Sequence, residues 1–377
     1  MSNLSESIVF NNTEVFVEGW YWALPSKELK RGKVAGLEIL GKNLAAYRGE
    51  NGRVTIIDAY CPHMGAHFKE GRVDGNSIRC GFHDWKFDPS GECVDIPCQK
   101  YRDRTAAIPP IQTYPVREAY GLIWIFTGPK DQAEFKPLPE FPKIAIDSEM
   151  EVIVGPRTFR NCRPEVVMLN AIDAHHFNSV HPEAALLAGG LDLRAVALSP
   201  HQIRISNISP PPHEGWIGRV LRPFYKSVMT YHLEYWYASC ATVSLGPDFL
   251  NLNLLFPHRP TMKGGTEGIM IYVAPRPQVM FGKIIAKAVA WLTGVAGGYF
   301  EKGDVEIFNS IRFSMRAPVK ADHPIIEFIR HAERQKTAAL PWGESVDHIK
   351  RLRRIVPEGE EIQGLVKTAS AQQGPSA

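Results

Sequence analysis

Two cysteines and two histidines stand early in the chain as Cys61-Pro62-His63 and, after sixteen intervening residues, Cys80-Gly81-Phe82-His83. Each short run offers one thiolate and one imidazole. That donor set suits a two-iron, two-sulfur centre in which the cysteines hold one iron and the histidines the other. Neutral imidazole in place of two thiolates leaves such a cluster less negative and raises its reduction potential, so the chemistry on offer is acceptance and onward transfer of electrons. Four Cys and His ligands also suit structural zinc, but zinc modules usually keep a Cys-x-x-Cys pair and a later histidine pair. Here each run supplies one of each.

A second group follows at Asn170, Asp173, His175, His176 and His181. On a helix predicted from about Pro164 to Val180, Asp173 and His176 share a face, while His181, ahead of Pro182, leaves the helix and folds back. Two imidazoles then converge, and a carboxylate from elsewhere would complete the two-histidine, one-carboxylate triad that leaves open positions on ferrous iron. Asp173, one turn before His176, is placed to accept that imidazole's second N–H and fix its tautomer.

The surrounding elements read as two regions. From Glu14 to about residue 135 there are short strands with turn signals: Ala35–Leu40, Leu44–Tyr47, Val54–Asp58 leading into Cys61, and Leu122–Phe126. Pro62 and Gly65 turn the first loop, Ile78 leads into Cys80, and Trp85, Phe87 and Val94 bracket a hairpin at Asp88-Pro89-Ser90-Gly91. A Pro-rich linker, Pro129 through Pro142, separates this all-β domain (14–135) from a second domain (150–355). There His201–Ser206, Thr230–Ser244, Phe249–Phe256 and Gly268–Ala274 alternate with period two and predict one large antiparallel sheet. Helices are predicted near Lys283–Thr293 and Tyr299–Phe313, and residues 356–377 read as a disordered tail. The fold class is α+β.

Composition narrows the function. With 44% apolar and 22% charged residues and a net charge of +3, the 377-residue chain has an ordinary globular composition that does not imply nucleic acid. Of six cysteines, Cys93, Cys98, Cys162 and Cys240 show no secreted-disulfide pattern, and the N-terminus lacks a signal peptide, so a cytoplasmic setting is expected. Val279–Phe300 is apolar but interrupted by Lys283 and Lys287. A packed amphipathic helix burying Ile284, Ile285, Ala288, Val289 and Leu292 is expected rather than a transmembrane segment or a membrane-surface helix.

The loops Cys61-Pro62-His63-Met64-Gly65 and Cys80-Gly81-Phe82-His83-Asp84-Trp85 resemble those of the Rieske proteins, in the oxygenase branch that lacks additional loop cysteines. Asn170-x-x-Asp173-x-x-His176-x-x-x-x-His181 is similar to the mononuclear-iron motif of Rieske non-haem iron oxygenase α subunits. The resemblance implies a helix-grip catalytic domain, one [2Fe-2S] cluster on Cys61, His63, Cys80 and His83, and one Fe2+ on His176 and His181, with His175 as the rival to His176. The third iron ligand is implied within Lys302–Asn309 as Asp304, with Glu306 as runner-up, and Asn170 and Asp173 are implied as catalytic residues. It further implies dioxygen as co-substrate, a ferredoxin or flavin reductase as electron donor, and a head-to-tail homotrimer in which Asp173 reaches a cluster histidine of a neighbouring subunit.

Trp20-Tyr21 and Asp304-Val305-Glu306-Ile307 are similar to the aminopyrrolnitrin and ketosteroid oxygenase types within that family. This favours hydroxylation, demethylation or N-oxidation of a small organic substrate over ring cis-dihydroxylation. A non-enzymatic electron carrier with an appended binding domain is the reading from another class. Leu186, Leu187, Trp236 and Phe256 are apolar pocket candidates, and Lys350, Arg351, Arg353 and Arg354 offer a basic surface to an acidic ferredoxin.

Overall fold

A computed structural model describes residues 9–97, 105, 108–173, 175–181, 193–209, 229–247 and 252–339. Leu186, Leu187, Cys98, the basic run at 350–354 and the tail at 356–377 lie outside the described residues. The N-terminal strands are β1 (Val15–Val17), β2 (Trp20–Pro25), β3 (Val34–Ile39), β4 (Lys42–Arg48), β5 (Val54–Asp58), β6 (Arg72–Asp74), β7 (Ser77–Arg79), β8 (Lys86–Phe87), β9 (Cys93–Asp95), β10 (Thr113–Tyr114), β11 (Val116–Ala119) and β12 (Leu122–Phe126). They form small antiparallel sheets in the orders β10-β5-β4-β3, β11-β12-β2 and β6-β7-β8-β9.

Strand alternation assigns each sheet face to a different core. On β4 and β5, Leu44, Ala46 and Ile56 pack with Tyr21, Ile123 and Ile125, whereas Ala45, Tyr47 and Ile57 pack with Cys61, Phe68, Ile78, Cys80 and Phe87. On β2 and β12 the other register, Trp20, Trp22, Leu122 and Trp124, joins the core of the second region. The layers therefore stack continuously from the cysteine loops to the large sheet.

That region contains β13 (Met150–Arg160), α1 (Pro164–Ile172), α2 (Phe177–Val180), β14 (Arg194–Ser199), β15 (Gln202–Ser209), β16 (Met229–Trp236), β17 (Cys240–Pro247), β18 (Leu252–Pro260), β19 (Thr266–Pro275), α3 (Gly282–Ser310), α4 (His323–Glu333) and β20 (Thr337–Ala339). Seven strands form one antiparallel sheet, β13-β19-β18-β17-β16-β15-β14. On one face Tyr235 meets α1 through the Met168 carbonyl and α4 through Phe328, and Tyr272 meets α3 at Gly294 and Gly297. From the other face Arg259 donates to the carbonyls of Trp22 and Ala23 and lies over the Trp22 ring, 4.1 Å from its centroid. Buried and paired with Glu267, this guanidinium ties the sheet to β2. β1 pairs with β20, joining the early and late parts of the described chain.

Four local expectations change. Thr230–Ser244 is a hairpin rather than one strand, because Tyr237 and Ala238 turn the chain with φ of 53° and 50°. The helix from Pro164 stops at Ile172, with Asp173 extended at ψ 100°. The two late helices are one, α3, running through Gly294, Gly297 and Gly298. Glycine there serves close packing: a Cβ on Gly297 would stand 3.0 Å from Tyr272 and 3.1 Å from Leu254. Finally, the Pro-rich stretch is pinned rather than loose. Trp20 Nε1 donates to the Lys136 carbonyl, Tyr237 Oη to that of Pro137 and Thr242 Oγ1 to that of Glu140. Among the described residues no helix is long and apolar enough to cross a membrane.

Candidate metal centres

The two cysteine loops share one backbone plan. Cys61 N–H donates to the Ala66 carbonyl and Gly65 N–H to that of Cys61; likewise Cys80 N–H donates to Trp85 and Asp84 N–H to Cys80. Gly65 and Asp84 occupy the same position in each loop, both left-handed, with φ of 73° and 60°. Glycine takes that conformation at no steric cost, and aspartate is among the residues that tolerate it. Asp84 is further held by ion pairs to Arg72 and Arg79, and Arg79 also pairs with Asp74 and Asp95.

Both thiols are buried at the loop bases, and both imidazoles are exposed at the tips. The rings of His63 and His83 lie 4.6 Å apart, His63 stacks on Trp85 at 4.2 Å and 8°, and Phe82 covers His83 at 3.9 Å. Burial pushes the Cys61 thiol up to about 12 against the pull of a hydrogen bond from the His63 backbone, and Cys80 stands in interaction range of it. Dry sulfurs side by side are stable as thiolates only beside a cation, which fits a metal cluster held by sulfur inside and imidazole outside. Cys93, Cys162 and Cys240 are buried free thiols.

In the second region the structure brings His176, His181 and Asp304 together, one ligand atom from each lying within 4.8 Å of the others. His181 Nε2 is 3.0 Å from Asp304 Oδ1, and Asn170 Nδ2 donates to Asp304 Oδ2 at 2.5 Å. Imidazole, imidazole and carboxylate at this separation fit a facial iron site. α1 contributes Asn170, the turn after it Asp173 and His176, and α3 Asp304. The close approach of α3 depends on Gly303, where a Cβ would stand 2.7 Å from Val180 Cγ1 and 3.3 Å from His181 Cε1. His175 and Glu306 are both exposed and are not part of this group.

Asp173 departs from its expected geometry. Because α1 ends before it, Asp173 and His176 do not share a helical face. The Asp173 backbone carbonyl, rather than its carboxylate, meets His176 Nδ1, and the carboxylate accepts the His175 backbone N–H at 2.8 Å. A carbonyl only accepts, so His176 carries its proton on Nδ1 and keeps the Nε2 lone pair for a metal.

Three site features escaped the sequence reading. Gly303 is one. Tyr231 is another, donating to the Ala171 carbonyl at 2.6 Å and holding the end of α1 against the sheet. The third is Asn207, which follows Ile203 and Ile205 in the inward register of β15 and lies opposite Tyr231. Its amide nitrogen is buried without a hydrogen-bond partner among the described residues. The visible signal was a polar residue where period two calls for an apolar one. Phe256 packs partly buried on the helix-facing side of the sheet. Trp236, adjacent to Tyr235, projects from the opposite side and is core.

Residues 19–115 match the Rieske [2Fe-2S] domain model. Over 335 residues the chain is 27% identical to the probable 3-ketosteroid-9-alpha-monooxygenase oxygenase component of Rhodococcus rhodochrous, covering 85% of this chain and 80% of that one. The chain thus carries a Rieske [2Fe-2S] domain and is similar over most of its length to an oxygenase component. The 3-chlorobenzoate-3,4-dioxygenase oxygenase subunit of Comamonas testosteroni is 35% identical over 172 residues, 44% of this chain and 37% of that subunit, so the chain spans well under half the length of that relative. The chain also shares its fold with dicamba monooxygenase, at a TM-score of 0.62 and 18% identity, over 86% of this chain and 97% of that one.

Proposed function

We propose that the chain is the oxygenase component of a Rieske non-haem iron system, in which a cluster domain (14–135) and an iron domain (150–355) act together on a small organic substrate. What carries this reading is the presence, in one chain, of the paired Cys and His loops and of the His176, His181 and Asp304 group. Cys61, His63, Cys80 and His83 would hold the cluster, and His176, His181 and Asp304 the iron. When bound, these groups supply one-electron transfer and dioxygen activation.

The protein's own part is positioning. The Asp173 carbonyl sets the His176 tautomer, and Asn170 orients the Asp304 carboxylate. Between the sheet and α1, Asn207 would offer an N–H to a carbonyl, hydroxyl or carboxylate oxygen of the substrate, beside its cross-strand neighbour Tyr231. The relatives' names span a ketosteroid monooxygenase and a chlorobenzoate dioxygenase. Hydroxylation, demethylation or N-oxidation is preferred here over ring cis-dihydroxylation because the ketosteroid monooxygenase matches over most of the chain. Electrons would come from a ferredoxin or flavin reductase in a reducing, cytoplasmic setting.

Oxygen uptake that requires both a reductant and a substrate tests the activity, and its absence across aromatic and steroid-like compounds would favour the electron-carrier reading. The iron assignment has a separate test. Asp304→Ala is expected to lose mononuclear iron while keeping the cluster's visible absorbance and protein yield. Wild-type iron content in that variant, with loss in Glu306→Ala instead, would transfer the role to Glu306.

A further inference from the structure

The N-terminal half of α3 is amphipathic in the reverse of the expected sense. Its small residues face inward: Ala286 and Ala290 are buried against Ala274 of β19, and Thr293 and Gly297 continue the same face. The large apolar residues face out. Ile284 is 65% exposed and Trp291 64%, Val295 extends that stripe, and Ile285 and Leu292 flank it. The preceding turn adds Val279, Met280 at 82% exposure, and Phe281, whose backbone is left-handed at φ 69° while its ring points to solvent. A continuous apolar surface of this length on a helix marks an interaction site.

Charge identifies the partner. No acidic residue occurs between Glu267 and Glu301. The basic residues in that interval are Arg276, which is paired with Glu149 and Glu151, and the exposed Lys283 and Lys287. Spaced i, i+4, the two lysines lie together along one flank of the apolar stripe, and neither has an ion-pair partner among the described residues. A second copy docked face to face would set lysine against lysine with no acid between. Anionic headgroups would instead receive both ammonium groups while Trp291, Ile284 and Phe281 enter the acyl boundary.

We propose that the outward face of α3, from Val279 to Val295, docks the protein on the surface of a bilayer containing anionic lipid. The helix lies in the interface plane and does not cross it. Asp304 follows Trp291 on the same helix by thirteen residues, about 20 Å of rise, so docking holds the iron-ligand group close to the lipid phase.

Sedimentation of the full-length purified protein with sucrose-loaded vesicles tests this independently of turnover. Wild type is expected to bind phosphatidylcholine vesicles containing phosphatidylglycerol on the order of tenfold or more better than phosphatidylcholine alone, with the preference lost at about 0.5 M salt. Lys283→Glu with Lys287→Glu should remove that preference. Ile284→Glu with Trp291→Glu should abolish binding to both vesicles while leaving the cluster's visible spectrum and the thermal midpoint unchanged. Lack of wild-type binding to the anionic vesicles overturns the proposal. In that case loss of oligomer in Ile284→Glu/Trp291→Glu would assign the face to another copy, and an unchanged oligomer would assign it to another part of this chain.

Discussion

At position 303 the missing side chain is what lets α3 approach the His181 turn closely enough for Asp304 to reach it. A Gly303→Val substitution places branched carbon where Val180 already stands, and the helix must move away from His181. The expected outcome is an iron affinity about 10- to 100-fold lower, the range for loss of a group that orients a metal ligand, with unchanged cluster absorbance. Iron titration of the variant checks it; wild-type affinity would mean that the packing of α3 does not set the ligand geometry. At the same scale Asn170 would act without touching a bound metal. Its amide donates to the Asp304 oxygen that does not face His181, which limits how that carboxylate can rotate.

Elements are joined here by residues that accept unfavourable backbone for the sake of a distant contact. The β16–β17 turn uses Tyr237 and Ala238 in the left-handed region, where a non-glycine residue costs about 1–2 kcal/mol. Tyr237 has a reason to remain: its hydroxyl donates to Pro137, and its ring packs where Gly19 has no side chain. Ala238 makes no such hydrogen bond, so Ala238→Gly should relieve strain and stabilise the protein by up to about 1 kcal/mol after glycine's own entropic cost. A higher urea midpoint with unchanged slope is the expected reading. Likewise α3 uses glycine to pack on Tyr272, and the helix continues because its backbone hydrogen bonds do not depend on the side chain removed.

For the whole molecule, exposed His63 and His83 at the loop tips, with exposed Met64 and Phe82 next to them in the chain, present a surface suited to another subunit. We read Asp173 as the group that meets such a histidine in a head-to-tail trimer. Asp173→Ala is expected to keep the cluster spectrum and iron content while abolishing substrate-coupled oxygen uptake; normal turnover would remove Asp173 from that role. Stability should also depend on acid through His258, which burial holds at about 4, below the ordinary 6.5, despite its hydrogen bond to the Phe256 carbonyl. The unfolded chain then binds the extra proton first as pH falls from 6.5 towards 4, so the folded state loses stability across that window. The loss between pH 7 and pH 5 is at most about 2 kcal/mol. Urea midpoints at the two pH values measure it, and His258→Gln should flatten the slope.

The pairing of Cys61, His63, Cys80 and His83 on two matched loops was legible without coordinates because their types and spacing sit on local loops whose turns are written in neighbouring residues. The large antiparallel sheet was legible for a related reason, since period-two alternation is a local property of each strand. His175 and His176 could not be separated that way. The break of α1 at Asp173 brings His176 rather than His175 beside His181, and the crossing of α3 at the His181 turn brings Asp304 rather than Glu306 there. The face of α3 was misread because hydrophobicity marks what leaves water and carries no information about what a helix can fit against. Against Tyr272 and Ala274 there is room for Ala286, Ala290 and glycine, so packing drew the small residues inward and left Ile284 and Trp291 outside.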